Sequence, residues 1–202
     1  NKIKQQMFTR PEQYICAQKL YSLWSEKKYD LILKAQPKSG KRVIFELMAL
    51  FLYFDCYSED KTLCLNKNLS PADYYPPLHV TAFYRKSCEK QLGEMRKDYG
   101  FYSEACRKKD DSESIIAEYK ERHSINEDNI NKVLIGIDEA DYASGNDQTL
   151  NLWINSWNGI KIHISASPEE VIGGFANQHL KKYKIINFEP PSTFRGKKWF
   201  HE

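Results

Sequence analysis

Residues 35–42, AQPKSGKR, form a polar stretch between two apolar runs, and their types suit phosphate binding. In a phosphate-binding loop, a strand leads into a tight turn whose backbone N–H groups face the phosphate oxygens, and the next helix adds its positive end. A lysine directly after a glycine then reaches the terminal phosphates. The candidate nucleotide-binding residues of this loop are Gln36, Pro37, Lys38, Ser39, Gly40, Lys41 and Arg42.

Two positions of this stretch depart from the full phosphate-loop pattern. Ala35 stands where the pattern has its first glycine, and Arg42 stands where it has serine or threonine. The second departure matters more, because that hydroxyl normally binds Mg²⁺. Taken alone, the stretch also fits a surface turn that opens a buried helix.

The stretch 133–141, VLIGIDEAD, places carboxylates directly after an apolar run. Ligands of open α/β sheets bind at the carboxyl ends of the strands, so Asp138 and Glu139 would lie where such ligands bind. There Asp138 can hold Mg²⁺ and Glu139 can polarise the water that attacks a phosphate. An acidic turn after a strand is the alternative, and the upstream Gly-Lys pair favours the metal site.

A third apolar run, residues 160–164, ends in Ser165-Ala166-Ser167-Pro168. The hydroxyls of Ser165 and Ser167, at the end of a neighbouring strand, could hydrogen-bond the acidic group, which includes Asp141, and couple it to the rest of the fold. The same residues also fit a helix N-cap that is followed by acidic residues. Both interpretations remain open, and the two are compatible.

Hydrophobic periodicity indicates alternating helices and strands around these motifs. Helices are predicted over residues 11–26, 43–54 and 150–157, with two more between residues 86 and 122. Strands are predicted over residues 31–33, 62–65, 79–84, 133–137, 160–164 and 184–188. This alternation predicts an α/β fold with a mostly parallel central sheet covered by helices on both faces.

The composition is that of an ordinary globular domain. The 202 residues are 41% hydrophobic and 28% charged, which suits one domain with a single sizeable core. The longest apolar stretch, residues 43–54, contains Glu46 and is too short to span a bilayer, so no membrane partner is expected. Five cysteines without a CxxC pair, and an N-terminus without a signal-peptide pattern, predict an intracellular protein. The net charge of +3 leaves a nucleic-acid partner open.

Together, AQPKSGKR, IDEAD and SAS resemble motifs I, II and III of the first RecA-like domain of superfamily 2 helicases and translocases, the DEAD-like group. Upstream, Arg10-Pro11-Glu12-Gln13 resembles the Arg-Pro-x-Gln stretch by which many members contact adenine. The resemblance extends from Arg10 to about Phe188, and the style of the motifs is similar to that of phage or large-virus members.

This resemblance implies a RecA-like ATPase domain over residues 1–190 and a linker or tail over residues 191–202, directed toward a second RecA-like domain in the same or another chain. The implied cofactors are ATP and Mg²⁺. Lys41 would bind phosphate, Asp138 the metal and Gln13 adenine, while Glu139 would activate water. DNA or RNA would cross loops that include residues 66–68, Arg85 and Lys86. The cytoplasm or nucleus, of the host cell if the protein is viral, is the expected location.

Two other functions fit the same residues. A viral DNA-packaging ATPase also pairs a variant phosphate loop with an acidic strand end and a serine-rich coupling segment. A degenerate ATPase retained as a nucleic-acid or protein-binding module is the other, because the long cation of Arg42 could compete with the metal. The DEAD form of the acidic motif favours the helicase over the packaging motor.

Overall fold

A computed structural model of the chain describes residues 9–57, 69–82, 84–107, 111–141, 157–176 and 182–190. The helices are α1 (Pro11–Ser25), α2 (Lys41–Tyr57), α3 (Cys88–Tyr99), α4 (Asp111–His123) and α5 (Pro168–Ala176). The strands are β1 (Asp30–Ala35), β2 (Leu78–Thr81), β3 (Tyr102–Ala105), β4 (Ile135–Asp138), β5 (Ile162–Ser165) and β6 (Tyr183–Phe188).

The six strands form one sheet in the order β3-β2-β4-β5-β1-β6, and each neighbouring pair is parallel. In the described ranges a helix lies between successive strands, except between β4 and β5, where residues 142–156 lie outside those ranges. Parallel pairing requires such crossovers, because each one must return the chain to the starting edge of the sheet. The predicted α/β fold class is confirmed. Among the residues that the structure describes, no helix has the length and apolar character needed to cross a membrane.

Each face of the sheet has its own core. Leu31 and Leu33 of β1 face a cluster built with α1 and α2, whereas Ile32, between them, faces a cluster that includes residues of α4 and α5. Successive residues of a strand point to opposite faces, so a strand covered on both faces must be apolar throughout. This explains the uninterrupted Leu-Ile-Leu run in a sheet covered by helices on both sides.

The prediction for residues 86–122 was incomplete. The two expected helices are present as α3 and α4, but the strand β3 lies between them. Its four residues, YSEA, alternate between half-buried and buried positions at the edge of the sheet. A strand this short and polar lacks the apolar run that marks the central strands, because half of its residues face water.

Other predicted elements differ at their ends. The strand predicted over 133–137 begins at Ile135, because a 3₁₀ turn over Ile130–Lys132 occupies its approach. The strand predicted over 79–84 ends at Thr81. The strand predicted over 62–65, residues 150–156 of the helix predicted over 150–157, and the tail 191–202 lie outside the described residues. The last residue of that predicted helix, Trp157, is described and is not helical.

Helix α2 packs closely against the middle of β4. A Cβ atom added to Gly136 would lie 2.6 Å from the ring of Phe45, a distance that real Cβ contacts do not reach. The absent side chain therefore leaves the space that the Phe45 ring occupies. This packing places the first turn of α2 over the carboxyl end of β4.

Candidate functional site

Three loops meet at the carboxyl edge of the sheet. Strand β5 lies between β1 and β4, so the loop after β5 has the loops after β1 and β4 on either side. Helix α2, which follows β1, packs on one face of the sheet, and α5, which follows β5, packs on the other. Neighbouring strands whose crossovers leave toward opposite faces form a crevice, which is where open α/β sheets bind ligands.

The loop between β1 and α2 has the backbone of a tight turn. The φ angles of Lys38 and Gly40 are +63° and +91°, and the Ser39 N–H donates to the Gln36 carbonyl at 3.1 Å. The Gly40 carbonyl accepts from the Val43 N–H at 3.0 Å, so α2 starts directly after Gly40. The first N–H groups of a helix have no acceptors within it, and here they lie beside an exposed loop.

The side chains of this loop differ in exposure. Gln36, Pro37 and Lys38 are exposed, whereas Ser39 is fully buried. The Ser39 hydroxyl has no hydrogen-bond partner within the described part of the chain. A buried polar group without a partner is costly, and it points to a ligand or water that completes the site.

Lys41 reaches the acidic end of β4. Its Nζ lies 3.1 Å from Asp138 Oδ1 and 3.5 Å from Glu139 Oε1, and the three side chains are 14%, 19% and 36% exposed. Burial alone would lower the pKa of the Lys41 ammonium, but the two adjacent carboxylates outweigh it and raise that pKa above its ordinary value. The ammonium and both predicted acids therefore share one partly open ionic group.

The backbone holds the two carboxylates at the edge of the sheet. Asp138 is the last residue of β4 and pairs with Thr81 on one side and Ile164 on the other. Glu139 then takes a left-handed conformation with φ +55°, and its N–H donates to Asp138 Oδ1 at 3.0 Å. A left-handed non-glycine residue is uncommon and costs energy, and such strain concentrates at functional sites.

The serine-rich end of β5 contacts the acidic motif, as the sequence predicts. The buried Ser165 donates its hydroxyl to Asp141 Oδ1 at 2.6 Å and accepts the Ser167 N–H at 2.9 Å. Ser167 therefore takes part in this set through its backbone. A hydrogen bond therefore joins the end of β5 to a residue of the acidic motif after β4.

Arg42 points away from the carboxylates of the sheet edge. Its Nε lies 3.1 Å from Glu46 Oε1, and its Nη1 lies 3.2 Å from Glu94 Oε2 of α3. Burial raises the pKa of Glu46 to about 7, although the Arg42 charge opposes this rise. The i,i+4 spacing of Arg42 and Glu46 could have signalled this pair, whereas nothing in the sequence indicates Glu94.

Gln13 and Arg10, which the resemblance assigns to adenine contact, reach the loop. The Arg10 guanidinium donates to the Ser39 carbonyl, and the amide nitrogen of Gln13 lies 3.4 Å from the carbonyl oxygens of both Ser39 and Gly40. The start of α1 is therefore joined to the candidate phosphate loop.

The donor set at the edge fits a magnesium ion. Mg²⁺ binds oxygen, and it commonly takes one or two carboxylates together with waters and substrate phosphates. Asp138 and Glu139 supply two such carboxylates beside a lysine suited to phosphate. Within the described ranges, no group of three or more His, Cys, Asp or Glu side chains could hold a metal ion. The fit therefore depends on a phosphate ligand as a partner.

Two of the residues proposed to meet nucleic acid lie at the same edge. Arg85 and Lys86 are exposed after β2, whereas residues 66–68 lie outside the described ranges. Beside them, the Arg107 guanidinium lies over the Tyr84 ring, 4.4 Å from its centre, and both side chains contact Glu89. Cations interleaved with an aromatic ring suit single-stranded nucleic acid.

Comparisons with known proteins found no match, so the function is inferred from the geometry of the site. No protein-family model matches the chain, and no curated protein matches it. The fold defines an α/β protein with an all-parallel sheet, and the edge of that sheet unites a glycine-lysine loop with two carboxylates.

Proposed function

We propose that this chain binds ATP with Mg²⁺ and forms the motor domain of an ATP-dependent nucleic-acid helicase or translocase, completed by a second RecA-like domain. The observation that carries the proposal is the contact of Lys41, from the first turn of α2, with Asp138 and Glu139 at the end of β4. These residues are distant in sequence, and their types are those needed for phosphate transfer.

Each residue of the site has a role in this proposal. Lys41 and the N–H groups at the start of α2 bind the terminal phosphates and offset their charge. Asp138 holds Mg²⁺, which neutralises charge on the phosphate oxygens when it is bound. Glu139 orients the attacking water and accepts its proton. Lys41 would shift from the carboxylates toward phosphate when nucleotide binds, because its ammonium lies within 3.5 Å of both of them.

The placement of Arg42 favours an active ATPase over the degenerate binding module. That alternative rests on a long cation that competes with the metal, yet the guanidinium is held by Glu46 and Glu94. Asp138 and Glu139 pair with Lys41, which phosphate can draw away. The missing hydroxyl of the phosphate loop leaves Asp138 and the phosphates themselves as the proposed metal ligands.

Binding of a fluorescent ATP analogue, with and without Mg²⁺, tests the nucleotide site. We expect Mg²⁺-dependent binding that Lys41→Met and Asp138→Asn both weaken, because the first removes the phosphate cation and the second removes a metal ligand. Lys28→Met is the matched control, since Lys28 is an exposed lysine whose ion pair with Glu26 lies outside the site. Unchanged affinity in Lys41→Met would overturn the proposed roles. Nucleotide binding that does not depend on Mg²⁺ would favour the degenerate ATPase retained as a binding module.

A labelled single-stranded oligonucleotide tests the proposed track. Contacts to backbone phosphates release counterions, so affinity should fall steeply as salt rises. A double variant, Arg85→Met with Lys86→Met, should weaken binding and reduce the slope of log affinity against log salt by about 1 for each lost phosphate contact. An unchanged slope would remove this pair from the proposed track.

A further inference from the structure

The ammonium of Lys41 contacts the same carboxylates that suit a metal ion. Its Nζ lies 3.1 Å from Asp138 Oδ1 and 3.5 Å from Glu139 Oε1. Mg²⁺ takes carboxylate oxygens as ligands, and a lysine ammonium is a compact point charge that pairs with the same oxygens. Two carboxylates and one ammonium leave a single net negative charge, which attracts a divalent cation less than the two carboxylates alone would.

The carboxylates are held by the backbone, whereas the ammonium can move. The Asp138 carbonyl accepts the Ala82 N–H at 2.9 Å, and Asp138 Oδ1 accepts the Glu139 N–H at 3.0 Å. Lys41 carries its charge on a flexible stem that starts in the first turn of α2. An exchange of cations at these carboxylates is therefore a movement of the Lys41 side chain.

The next cation along the helix does not share this position. Arg42 is held by Glu46 and by Glu94 of α3, on the other side of the start of α2. It therefore cannot replace the ammonium at the edge of the sheet when Lys41 is substituted. Removing the Lys41 charge should expose the two carboxylates to whatever cation is in solution.

We infer that Lys41 competes with the divalent cation for Asp138 and Glu139, and that it keeps the metal from these carboxylates until phosphate draws the ammonium away. The inference rests on the proposed function and adds a second role for the lysine. The ammonium occupies the oxygens and also repels an approaching cation. Phosphates reverse both effects, because they pair with the ammonium and supply further oxygen ligands to the metal.

The test is a titration with Mn²⁺, which suits the same oxygen ligands as Mg²⁺, followed by electron paramagnetic resonance in the absence of nucleotide. We expect Lys41→Met to bind Mn²⁺ about tenfold more tightly than the unaltered protein, because a unit charge about 4 Å away no longer repels the ion. Adding Asp138→Asn to Lys41→Met should abolish this gain. Lys28→Met is the matched control, since it frees only the single carboxylate of Glu26 and should gain nothing.

Binding of the fluorescent ATP analogue gives the second measurement on the same variant. Lys41→Met should bind the analogue more weakly while it binds Mn²⁺ more tightly, so one substitution moves the two affinities in opposite directions. A lysine that only maintained the structure of the site would lower both affinities when substituted. That outcome would contradict the competition between Lys41 and the metal.

The remaining outcomes separate this inference from the proposed function. Equal Mn²⁺ affinity in Lys41→Met and the unaltered protein overturns the inference and leaves the nucleotide site standing. A gain that survives Asp138→Asn also overturns it, because the metal then binds elsewhere. If the unaltered protein did not bind the analogue, the proposed function would fall, and the Mn²⁺ titration would still decide whether Lys41 excludes the metal. Lys41→Gln should show the same gain, which keeps the test decisive if Lys41→Met does not fold.

Discussion

Lys41 and Arg42 are neighbours in the chain, yet their cations belong to different ionic groups. Lys41 joins Asp138 and Glu139 in what we call the edge centre, at the carboxyl end of β4. Arg42 joins Glu46 and Glu94 in what we call the helix centre, which links α2 to α3. Successive residues at the start of a helix point in different directions, so one step in sequence separates the two centres.

The balance between burial and neighbouring charges sets the pKa differently in the two centres. In the edge centre, the carboxylates outweigh burial and raise the pKa of Lys41, so the charged form is favoured. In the helix centre, burial outweighs Arg42 and raises the pKa of Glu46 to about 7. The edge centre thus keeps charges that a phosphate and a metal ion can exchange, whereas the helix centre fixes the position of a helix.

The strongest test of this division is Arg42→Met, which keeps the stem of the side chain and removes its charge. We expect the free energy of unfolding to fall by about 2–3 kcal/mol, because the buried Glu46 loses its cation. Nucleotide affinity should change less than about threefold. Urea unfolding and analogue binding measure the two effects. Arg122→Met, which removes an exposed pair with Glu118 and a cation–π contact with Tyr102, should cost at most about 1 kcal/mol.

The reciprocal variant, Lys41→Met, should lower nucleotide affinity by about 10- to 100-fold, the value of a charge-assisted hydrogen bond to phosphate. Its free energy of unfolding should fall by about 1 kcal/mol, because Asp138 and Glu139 are partly exposed and water solvates them when the ammonium is lost. If Arg42→Met and Lys41→Met each lowered both the free energy of unfolding and the nucleotide affinity to the same extent, the edge centre and the helix centre would be energetically coupled.

The pKa of Glu46 gives the helix centre its own pH dependence. A carboxyl whose pKa is raised on folding binds its proton more tightly in the folded state, so stability falls as pH rises from about 4.5 to about 7. We expect this loss to be on the order of 1–3 kcal/mol. Glu46→Gln should remove it when urea unfolding is compared at pH 5 and pH 8. Parallel curves for the two proteins would contradict a raised pKa.

The variant with the smallest expected effect, Ser165→Ala, tests whether the end of β5 contributes to nucleotide binding. Ser165→Ala removes the hydroxyl that donates to Asp141 and should lower the free energy of unfolding by about 1 kcal/mol. Nucleotide affinity should stay within about threefold, because neither residue is proposed to touch phosphate. Ser167→Ala is the control, since Ser167 takes part through its backbone N–H. A larger loss of affinity in Ser165→Ala would add β5 to the binding surface.

The edge centre was predictable because simple rules govern it. Central parallel strands are apolar on both faces, so β1, β4 and β5 stood out as apolar runs, and their carboxyl ends must meet at one edge. The contact of Ser165 with Asp141 followed from the same rule and is present.

The helix centre and the edge strand were not predictable in this way. The direction of Arg42 depends on where α3 packs, and Glu94 is distant in sequence with no shared pattern. Strand β3 is short and half exposed, so it lacks an apolar run. Gln13 was expected to contact adenine, and its position on the loop became visible once α1 was placed beside Gly40.

The reach of Lys41 depends on a residue with no side chain. Gly136 allows the Phe45 ring to pack against β4. Phe45 lies one helical turn after Lys41 on α2, and Gly136 lies two residues before Asp138 on β4. A methyl group at position 136 would act as a spacer, lifting α2 and lengthening the span that the ammonium must cross. Packing inside the core therefore sets the distance between Lys41 and the carboxylates. A substitution at Gly136, which touches no polar atom of the site, would lengthen that distance.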